Sequence, residues 1–359
     1  MGSPDKFAFL GSENKLLNVF IGVVLLFLFI WLLVVGRSII LPLMIAIFLT
    51  FILEPMVSFL MRFKIPLAIA VLLTLIFAFI ILYLMGALVY ANVQIFVGRF
   101  PIYQVRLLKS ISHFTLQFEK WFGEPLNIDI FKRINWVETF QQFSIAQFVL
   151  GSVGSFVTFF VKMLMVIIFI AYFLPGMQHI DAKIELAFPT KQSKQIIGVF
   201  HNVTNQVQTY LGAKTLGSVI IGLVGIIIFY AFDLDFAFFW GFLLFLFNYI
   251  PTLGPIVASF FPVLFAMLQF GSLSIAFWLT ISMILLQTVM GNYVEPKLMG
   301  RTMNLSPIMV ILSLIFWGYI WGAAGMILAI PILGTFTIIF ENFESLKFVS
   351  VFLRGGPKK

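Results

Sequence analysis

The segment that decides the fold runs from Phe236 to Pro331 and contains the stretch Asn248-Tyr249-Ile250-Pro251-Thr252-Leu253-Gly254-Pro255. Its first part, residues 236–294, carries no charged side chain. As one straight helix that part would be about 88 Å long, whereas the hydrocarbon core of a bilayer is about 30 Å thick. The chain must therefore enter the membrane and turn back within this segment.

The turning points are proline and glycine residues. Pro251 and Pro255 remove two backbone donors, Gly254 adds a permissive backbone position, and Pro262 and Gly271 follow. Broken backbone at membrane depth is tolerated only where other protein groups or a water-filled cavity satisfy its polar groups. We therefore expect these five residues to act as hinges beside a pathway for a hydrophilic solute.

The composition is that of a helical membrane protein. Of 359 residues, 62% are hydrophobic and 10% are charged, against about 25% charged in soluble domains. A transmembrane barrel would show alternating strands instead of continuous apolar runs. The absence of cysteine excludes a disulfide framework and thiolate chemistry. The net charge of +8 fits basic cytoplasmic loops facing anionic lipid, and we expect no nucleic-acid partner.

We expect an all-α polytopic membrane protein with about eight transmembrane helices. The predicted regions, in chain order, are transmembrane helices 1–3 (residues 1–90), an extramembrane, periplasmic amphipathic helical insert (91–148), helix 4 (149–174), a cytoplasmic amphipathic segment (175–213), helices 5–8 with a re-entrant part near 251–270 (214–345) and a basic cytoplasmic tail (346–359).

Within the last membrane region, Phe236 to Ile250 is predicted as the sixth span and Leu273 to Met290 as the seventh. Ile308 to Phe340 is predicted as one kinked eighth span, with two half-helices as the alternative. Lysines and arginines place both termini in the cytoplasm. In this arrangement the short outer segments hold Arg37, Lys297 and Arg301.

Glu295 is the strongest functional candidate, because ionisable groups at membrane depth are costly and suggest function by default. It could carry a proton or bind a cation, or be a solvated carboxylate in the loop after the seventh span. Asn292 is its natural neighbour. Asn248 stands before the Pro251 break and could cap freed backbone or bind substrate, and Tyr249 lies beside it in the predicted pathway.

Glu54 and Lys162 are secondary candidates. Glu54 could instead form an interfacial salt bridge with Arg62 or Lys64, and Lys162 could pair with a carboxylate or extend to the interface. Gln287 is most simply explained by an interhelical hydrogen bond. Small residues near the end of the segment predict a helix-packing face: Gly318, Gly322 and Gly325.

No phosphate loop, dinucleotide fingerprint or zinc motif occurs, and the three histidines lie in the polar inserts. Without a nucleophile–base pair or a ligand cluster, we expect neither an enzyme nor a bound metal or cofactor.

Several blocks of sequence resemble the autoinducer-2 exporter family of bacterial membrane proteins. They include Asn248 to Pro255, Glu295-Pro296-Lys297-Leu298-Met299-Gly300, Leu305-Ser306-Pro307, Ser313 to Gly318, Gly322 to Met326 and Ile330-Pro331. The resemblance implies a transporter of the bacterial inner membrane that assembles as a homo-oligomer, with a pentameric ring as one arrangement. Some relatives look like autoinducer-2 exporters and others like sodium/proton antiporters.

Three functions follow from these observations. The leading hypothesis is secondary transport of a small polar solute around the Pro251–Pro262 region and Glu295. The second is exchange of a cation for protons. The third is a membrane scaffold that transports nothing.

Overall fold

The computed structural model describes residues 15–122, 145–299 and 304–355, so predictions that fall on residues 123–144 and on Arg301 lie outside the described part. The described chain is helical apart from turns and one isolated bridge between Leu305 and Arg354. Its helices are α1 (Lys15–Val35), α2 (Arg37–Arg62), α3 (Leu67–Phe122), α4 (Ile145–Gln178), α5 (Ile180–Ala187), α6 (Thr190–Ala231), α7 (Ala237–Phe247), α8 (Leu253–Phe270), α9 (Leu273–Val289), α10 (Glu295–Met299), α11 (Pro307–Asn342) and α12 (Lys347–Leu353).

Seven of the described helical segments are long and apolar enough to cross a membrane: Arg37–Arg62, Leu67–Phe96, Val161–Gln178, Thr190–Ala231, Leu253–Phe270, Leu273–Met299 and Pro307–Asn342. This confirms an all-α polytopic membrane protein. The structure differs from the predicted arrangement of spans at the sixth span, at the eighth span and at the boundary between the amphipathic segment and the fifth span.

The predicted sixth span is one arm of a helical hairpin. Helix α7 has 11 residues, about 16 Å at the helical rise, which is too short to cross a bilayer. The backbone N–H of Asp235, before α7, donates to Gln269 Oε1 at 2.8 Å, and Gln269 Nε2 donates to the Asp233 carbonyl at 2.8 Å. The start of α7 and the end of α8 are therefore adjacent, and the chain turns back between them at residues 248–252.

Helix α8 itself is unbroken. It continues through Pro262 as a single helix of 18 residues, and it ends at Gly271, whose φ of +62° suits glycine. The break predicted at Pro251 is real, and residues Leu253–Phe270 form one continuous helix beyond it. We call α7, residues 248–252 and α8 the first hairpin.

Helix α11 is a second hairpin, as the two-half-helix alternative predicted, and the single kinked span is wrong. Gly322 interrupts it with φ +66° and ψ −146°. Ser313 Oγ donates to the Ala329 carbonyl at 3.0 Å, although sixteen positions of straight helix would separate them by about 24 Å. The base of this second hairpin is fastened where Ser306 N donates to the Leu353 carbonyl at 2.9 Å.

The predicted cytoplasmic amphipathic helix and fifth span form one helix, α6, of 42 residues. It packs closely on α7 through glycines. A Cβ on Gly225 would lie 2.2 Å from Leu244 Cδ1, and one on Gly241 would lie 2.2 Å from Ile226 Cγ1. Large side chains at these glycines would push α7 away from α6, so the glycine-rich fifth span does serve close helix contact.

The first half of the predicted insert continues the third span, because α3 runs unbroken to Phe122. Beyond its apolar part, α3 holds the open end of the first hairpin. Tyr103 OH donates to Asp235 Oδ2 at 2.7 Å, Arg99 Nη1 lies 3.4 Å from the same oxygen, and Arg106 Nη1 donates to the Gln269 carbonyl at 3.0 Å. Burial and the hydrogen bond to Asp235 raise the pKa of Tyr103 to about 12.

Candidate functional site

An ion pair buried between α6 and α10 forms the centre of the site. Lys214 Nζ lies 2.6 Å from Glu295 Oε1, and the two side chains are 4% and 18% exposed. Taking two charges out of water is costly unless they pair well and find further hydrogen bonds. Each residue therefore compensates the charge of the other.

Glu295 is positioned by an irregular turn. Helix α9 ends at Val289, residues Met290–Val294 form a π-helical turn, and Glu295 begins α10. Such π turns widen the helix by about one residue and occur frequently at functional sites. Glu295 is therefore not a solvated loop carboxylate, and that alternative is excluded by its helical position and its buried partner.

Asn248 connects the ion pair to the first hairpin. It is 3% exposed and stands at the C-terminal cap of α7. Its Nδ2 donates to Glu295 Oε1 at 3.0 Å and to Ser218 Oγ, on α6, at 3.1 Å. Both amide hydrogens are thus used on side chains, so its side-chain amide contacts the site and does not cap a freed carbonyl.

Tyr249 extends the polar contacts along α6. Its hydroxyl donates to Thr215 Oγ1 at 2.9 Å, one residue after Lys214. Gly254, just beyond the turn, has no room for a side chain, because a Cβ there would lie 1.8 Å from the Phe247 carbonyl oxygen. The close approach of Gly254 to Phe247 thus makes the turn of the first hairpin tight.

The second hairpin packs near the same tip. Ile250 belongs to one buried cluster with Trp317 and Ile320, on the first arm of that hairpin. Gly325 lets its two arms approach, since a Cβ there would lie 2.0 Å from the Trp317 carbonyl oxygen. At the turn, Trp321 Nε1 donates to the Leu33 carbonyl at 3.2 Å. Of the predicted packing glycines, Gly318 and Gly325 face the opposite arm and Gly322 makes the turn.

The remaining predicted residues differ in their exposure to the surroundings. Asn292 is exposed within the π turn, and Lys162 is exposed on α4. In the proline-rich segment Asn248, Gly254 and Pro262 are buried, whereas Thr252 and Leu253 are exposed. Gln287 donates to Ser259 Oγ, on α8, at 3.1 Å, which is the interhelical hydrogen bond expected of it.

Glu54 lies apart from the ion pair, and its predicted salt bridge is absent from the described part of the chain. No described ion pair joins it to Arg62 or Lys64. Instead it accepts hydrogen bonds from Ser58, Gln178 and Gln208. Neutral donors from α2, α4 and α6 therefore take the place of the expected cation.

Lys214 was missed by sequence reasoning, together with Ser218 and Thr215. The predicted regions divide the amphipathic segment (175–213) from the following membrane region (214–345) at Lys214, whereas the structure has one continuous helix there. A usable signal exists: between Gln195 and Phe232, Lys214 is the only residue of the Asp, Glu, Lys and Arg types. A lone lysine within so long a helical run needs a partner.

Two cavities lie along α6 but not at the ion pair. One of about 780 Å³ separates the first half of α6 from the second arm of α11, and one of about 450 Å³ lies between α2, α4, α5 and α6. Neither is lined by Lys214, Asn248 or Glu295. The ion pair therefore lies outside the lining of both cavities.

Two helical hairpins that meet beside a buried ion pair, in a chain with several helices long enough to cross a bilayer, are typical of membrane transport proteins. The chain belongs to the AI-2E family of transporters. The sequence profile of this family matches residues 20–345.

Similar proteins from other bacteria are also named as transport proteins. A Borreliella burgdorferi protein named "Putative transport protein" is 30% identical, with 94% of this chain and 91% of that protein covered. A Haemophilus influenzae protein of the same name is 28% identical over 86% of this chain and 87% of its own. AI-2 transport protein TqsA of Escherichia coli is 26% identical over 90% and 92%. These names are those of transport proteins, not of enzymes.

Proposed function

We propose that this transporter exports a small polar solute such as autoinducer-2 across the bacterial inner membrane, and that Lys214, Glu295 and Asn248 control the path. The observation that carries the proposal is the ion pair at 2.6 Å, buried where the tip of the first hairpin meets α6 and α10. The name of the relative TqsA supports the choice of autoinducer-2 as solute.

The hydrogen bonds at the site suggest how a polar solute is recognised. A solute hydroxyl can donate to Glu295 and accept from Lys214, and another can replace Ser218 as the acceptor of the Asn248 amide. Such a solute exchanges existing hydrogen bonds for new ones instead of burying unpaired groups, which would be costly. Solute binding thus releases Asn248 from α6, and with it the tip of the first hairpin.

Movement of the hairpins gives access from alternate sides. The first hairpin is fastened to α3 at its open end by Asp235 and Gln269, and among the described side-chain hydrogen bonds those of Asn248 and Tyr249 join its tip to α6. Rocking of broken helices about a fixed site is a common means of alternating access. We therefore place the moving element at residues 248–252.

We propose that each hairpin enters and leaves the membrane on the same side. This topology differs from the eight-span arrangement expected from the sequence. Helices α1, α2, α3, α4, α6 and α9 then cross the membrane, and both termini stay in the cytoplasm, as in the eight-span arrangement. Lys297, which follows α9, moves from the outer to the cytoplasmic side. Arg37 remains as the outer positive charge of the short described segments, which fits the charge rule better.

We further propose a homo-oligomer, with a pentameric ring as one arrangement. Helix α1 supports this proposal, because among its side chains whose burial is described Leu33 alone is buried and nearly all others are exposed. Native mass spectrometry of the purified protein would give the number of copies.

Cation/proton antiport is the second candidate, favoured by the carboxylate of Glu295 at the site. It requires a cation to displace the Lys214 ammonium. Proteoliposome flux of autoinducer-2 and of sodium, each with and without a proton gradient, separates the two functions. Autoinducer-2 flux supports export, sodium-driven proton movement lost in Glu295→Gln supports antiport, and neither flux overturns both.

A further inference from the structure

We propose that Glu54, Ser58, Gln178 and Gln208 form a binding site for one monovalent cation, separate from the Lys214–Glu295 pair. The four side chains come from three helices, α2, α4 and α6. Ser58 Oγ donates to Glu54 Oε1 at 2.6 Å, Gln178 Nε2 donates to the same oxygen at 3.3 Å, and Gln208 Nε2 donates to Oε2 at 3.0 Å.

The charge at this site is unbalanced, in contrast to that of Glu295. The ion pairs among the described residues are Lys214–Glu295, Arg99–Asp235, His201–Asp181 and Arg354–Glu341, and none includes Glu54. Glu54 is half-buried within α2, where residues 38–61 carry no other charge. A half-buried carboxylate held only by neutral donors has an unmet electrostatic demand for one positive charge.

The hydrogen bonds to Glu54 come from neutral side chains. An ionised carboxylate only accepts hydrogen bonds, and all three neighbours donate to it. The three donors are neutral, so they satisfy the carboxylate oxygens without adding a positive charge, and a cation can still be attracted to the site.

The same residues can supply oxygen ligands. Rotation of either glutamine amide by half a turn replaces its Nε2 by its Oε1, so that carboxylate, amide and hydroxyl oxygens all face the site. Such oxygens suit hard cations. One carboxylate neutralises one positive charge, so a monovalent ion leaves the site neutral, whereas a divalent ion would leave a net charge in a half-buried place.

The location suggests a role in coupling, and only that role rests on the proposed transport function. Gln208 and Lys214 are both on α6, about 9 Å apart along the helix axis. A cation that reorients Gln208 acts on the helix that carries the ion pair. Binding itself can be measured without any flux.

The test is the thermal unfolding midpoint of the purified full-length protein, with choline chloride replaced by sodium chloride at constant ionic strength. We expect sodium to raise the midpoint by about 2–4 °C at saturation. Glu54→Gln should abolish the rise, and Gln208→Ala should increase the half-saturating sodium concentration about tenfold or more. Glu341→Gln, which removes an exposed carboxylate, is the matched control and should keep the full rise.

If Glu54→Gln gives no cooperative transition, Ser58→Ala and Gln208→Ala carry the test. An unresponsive wild type, or a full sodium response in both Glu54→Gln and Gln208→Ala, overturns the site. A larger response to calcium chloride overturns the single-charge argument. If Glu295→Gln loses the sodium response and Glu54→Gln keeps it, the cation binds at the ion pair and this proposal is overturned. If the sodium response depends on Glu54 but no solute flux is measured, only the proposed function is overturned.

Discussion

Gln208 and Lys214 lie less than two turns apart on α6, and each contacts a different carboxylate: Gln208 donates to Glu54 and Lys214 pairs with Glu295. One helix therefore links a carboxylate held by neutral donors with a carboxylate neutralised by a buried lysine. The two sites differ in charge, and their expected responses to mutation differ accordingly.

The ion pair should behave as a unit. Lys214→Met leaves Glu295 buried without its cation and should cost about 3–5 kcal/mol of stability. The double variant Lys214→Met/Glu295→Gln removes both charges and should recover most of that loss. Unfolding midpoints of the wild type, both single variants and the double variant form the cycle that measures the coupling. Additive losses would show that the two side chains do not interact.

The turn of the second hairpin should depend on glycine. Gly322 has φ +66° and open space around it, so Gly322→Ala should be destabilising by about 1–3 kcal/mol through backbone strain alone. Gly176→Ala is the matched control, because Gly176 lies inside α4 with nothing within 4 Å of its Cβ position. Equal midpoints for the two variants would argue against a reversal at Gly322.

The re-entrant topology predicts the side on which Lys297 lies. The chain contains no cysteine, so Lys297→Cys and Arg37→Cys each introduce a single thiol. A membrane-impermeant maleimide applied to intact spheroplasts should label Arg37→Cys, whereas Lys297→Cys should react only after the membrane is opened. Labelling of Lys297→Cys in intact spheroplasts would restore eight full crossings.

The contact between α3 and the first hairpin should be sensitive to alkaline pH. Tyr103→Phe removes the hydrogen bond to Asp235 and should cost about 1.5–3 kcal/mol near neutral pH. Because burial and Asp235 raise the pKa of Tyr103 from 10.0 to about 12, its stabilising effect is complete below pH 10 and is lost as the pH rises to about 12. The midpoint difference between the wild type and Tyr103→Phe should therefore vanish over that range. A difference that stays constant would exclude Tyr103 as the titrating group.

Much of the fold follows from local sequence. Long uncharged runs predict membrane helices, Arg37 separates the first two, and Pro251 with Gly254 marks the tip of the first hairpin. The hairpins themselves are harder to predict, because an apolar arm of 11 residues and a full span have the same composition. Tertiary contacts such as that between Asp235 and Gln269 are needed to show that the two arms of the first hairpin lie side by side.

Part of the candidate site could be predicted from the sequence, and part of it depends on contacts between distant residues. Glu295 and Asn248 stand out as polar residues within apolar sequence, whereas Lys214 was assigned to a helix boundary. Its burial depends on Glu295, 81 positions further along the chain, and a single sequence does not show which distant charges meet. The exposure of Asn292 likewise depends on the π turn, which no local pattern predicted.

Flux through the ion-pair double variant tests the central claim most directly. Proteoliposomes are loaded with autoinducer-2, and its efflux is compared between wild type, Lys214→Met/Glu295→Gln and the control Glu341→Gln. Because the double variant leaves no unpaired buried charge, it should fold and reconstitute as the wild type does. We predict wild-type efflux from the control and background efflux, equal to that of protein-free liposomes, from the double variant. Efflux from the double variant at the wild-type rate would contradict a transport path controlled by Lys214 and Glu295.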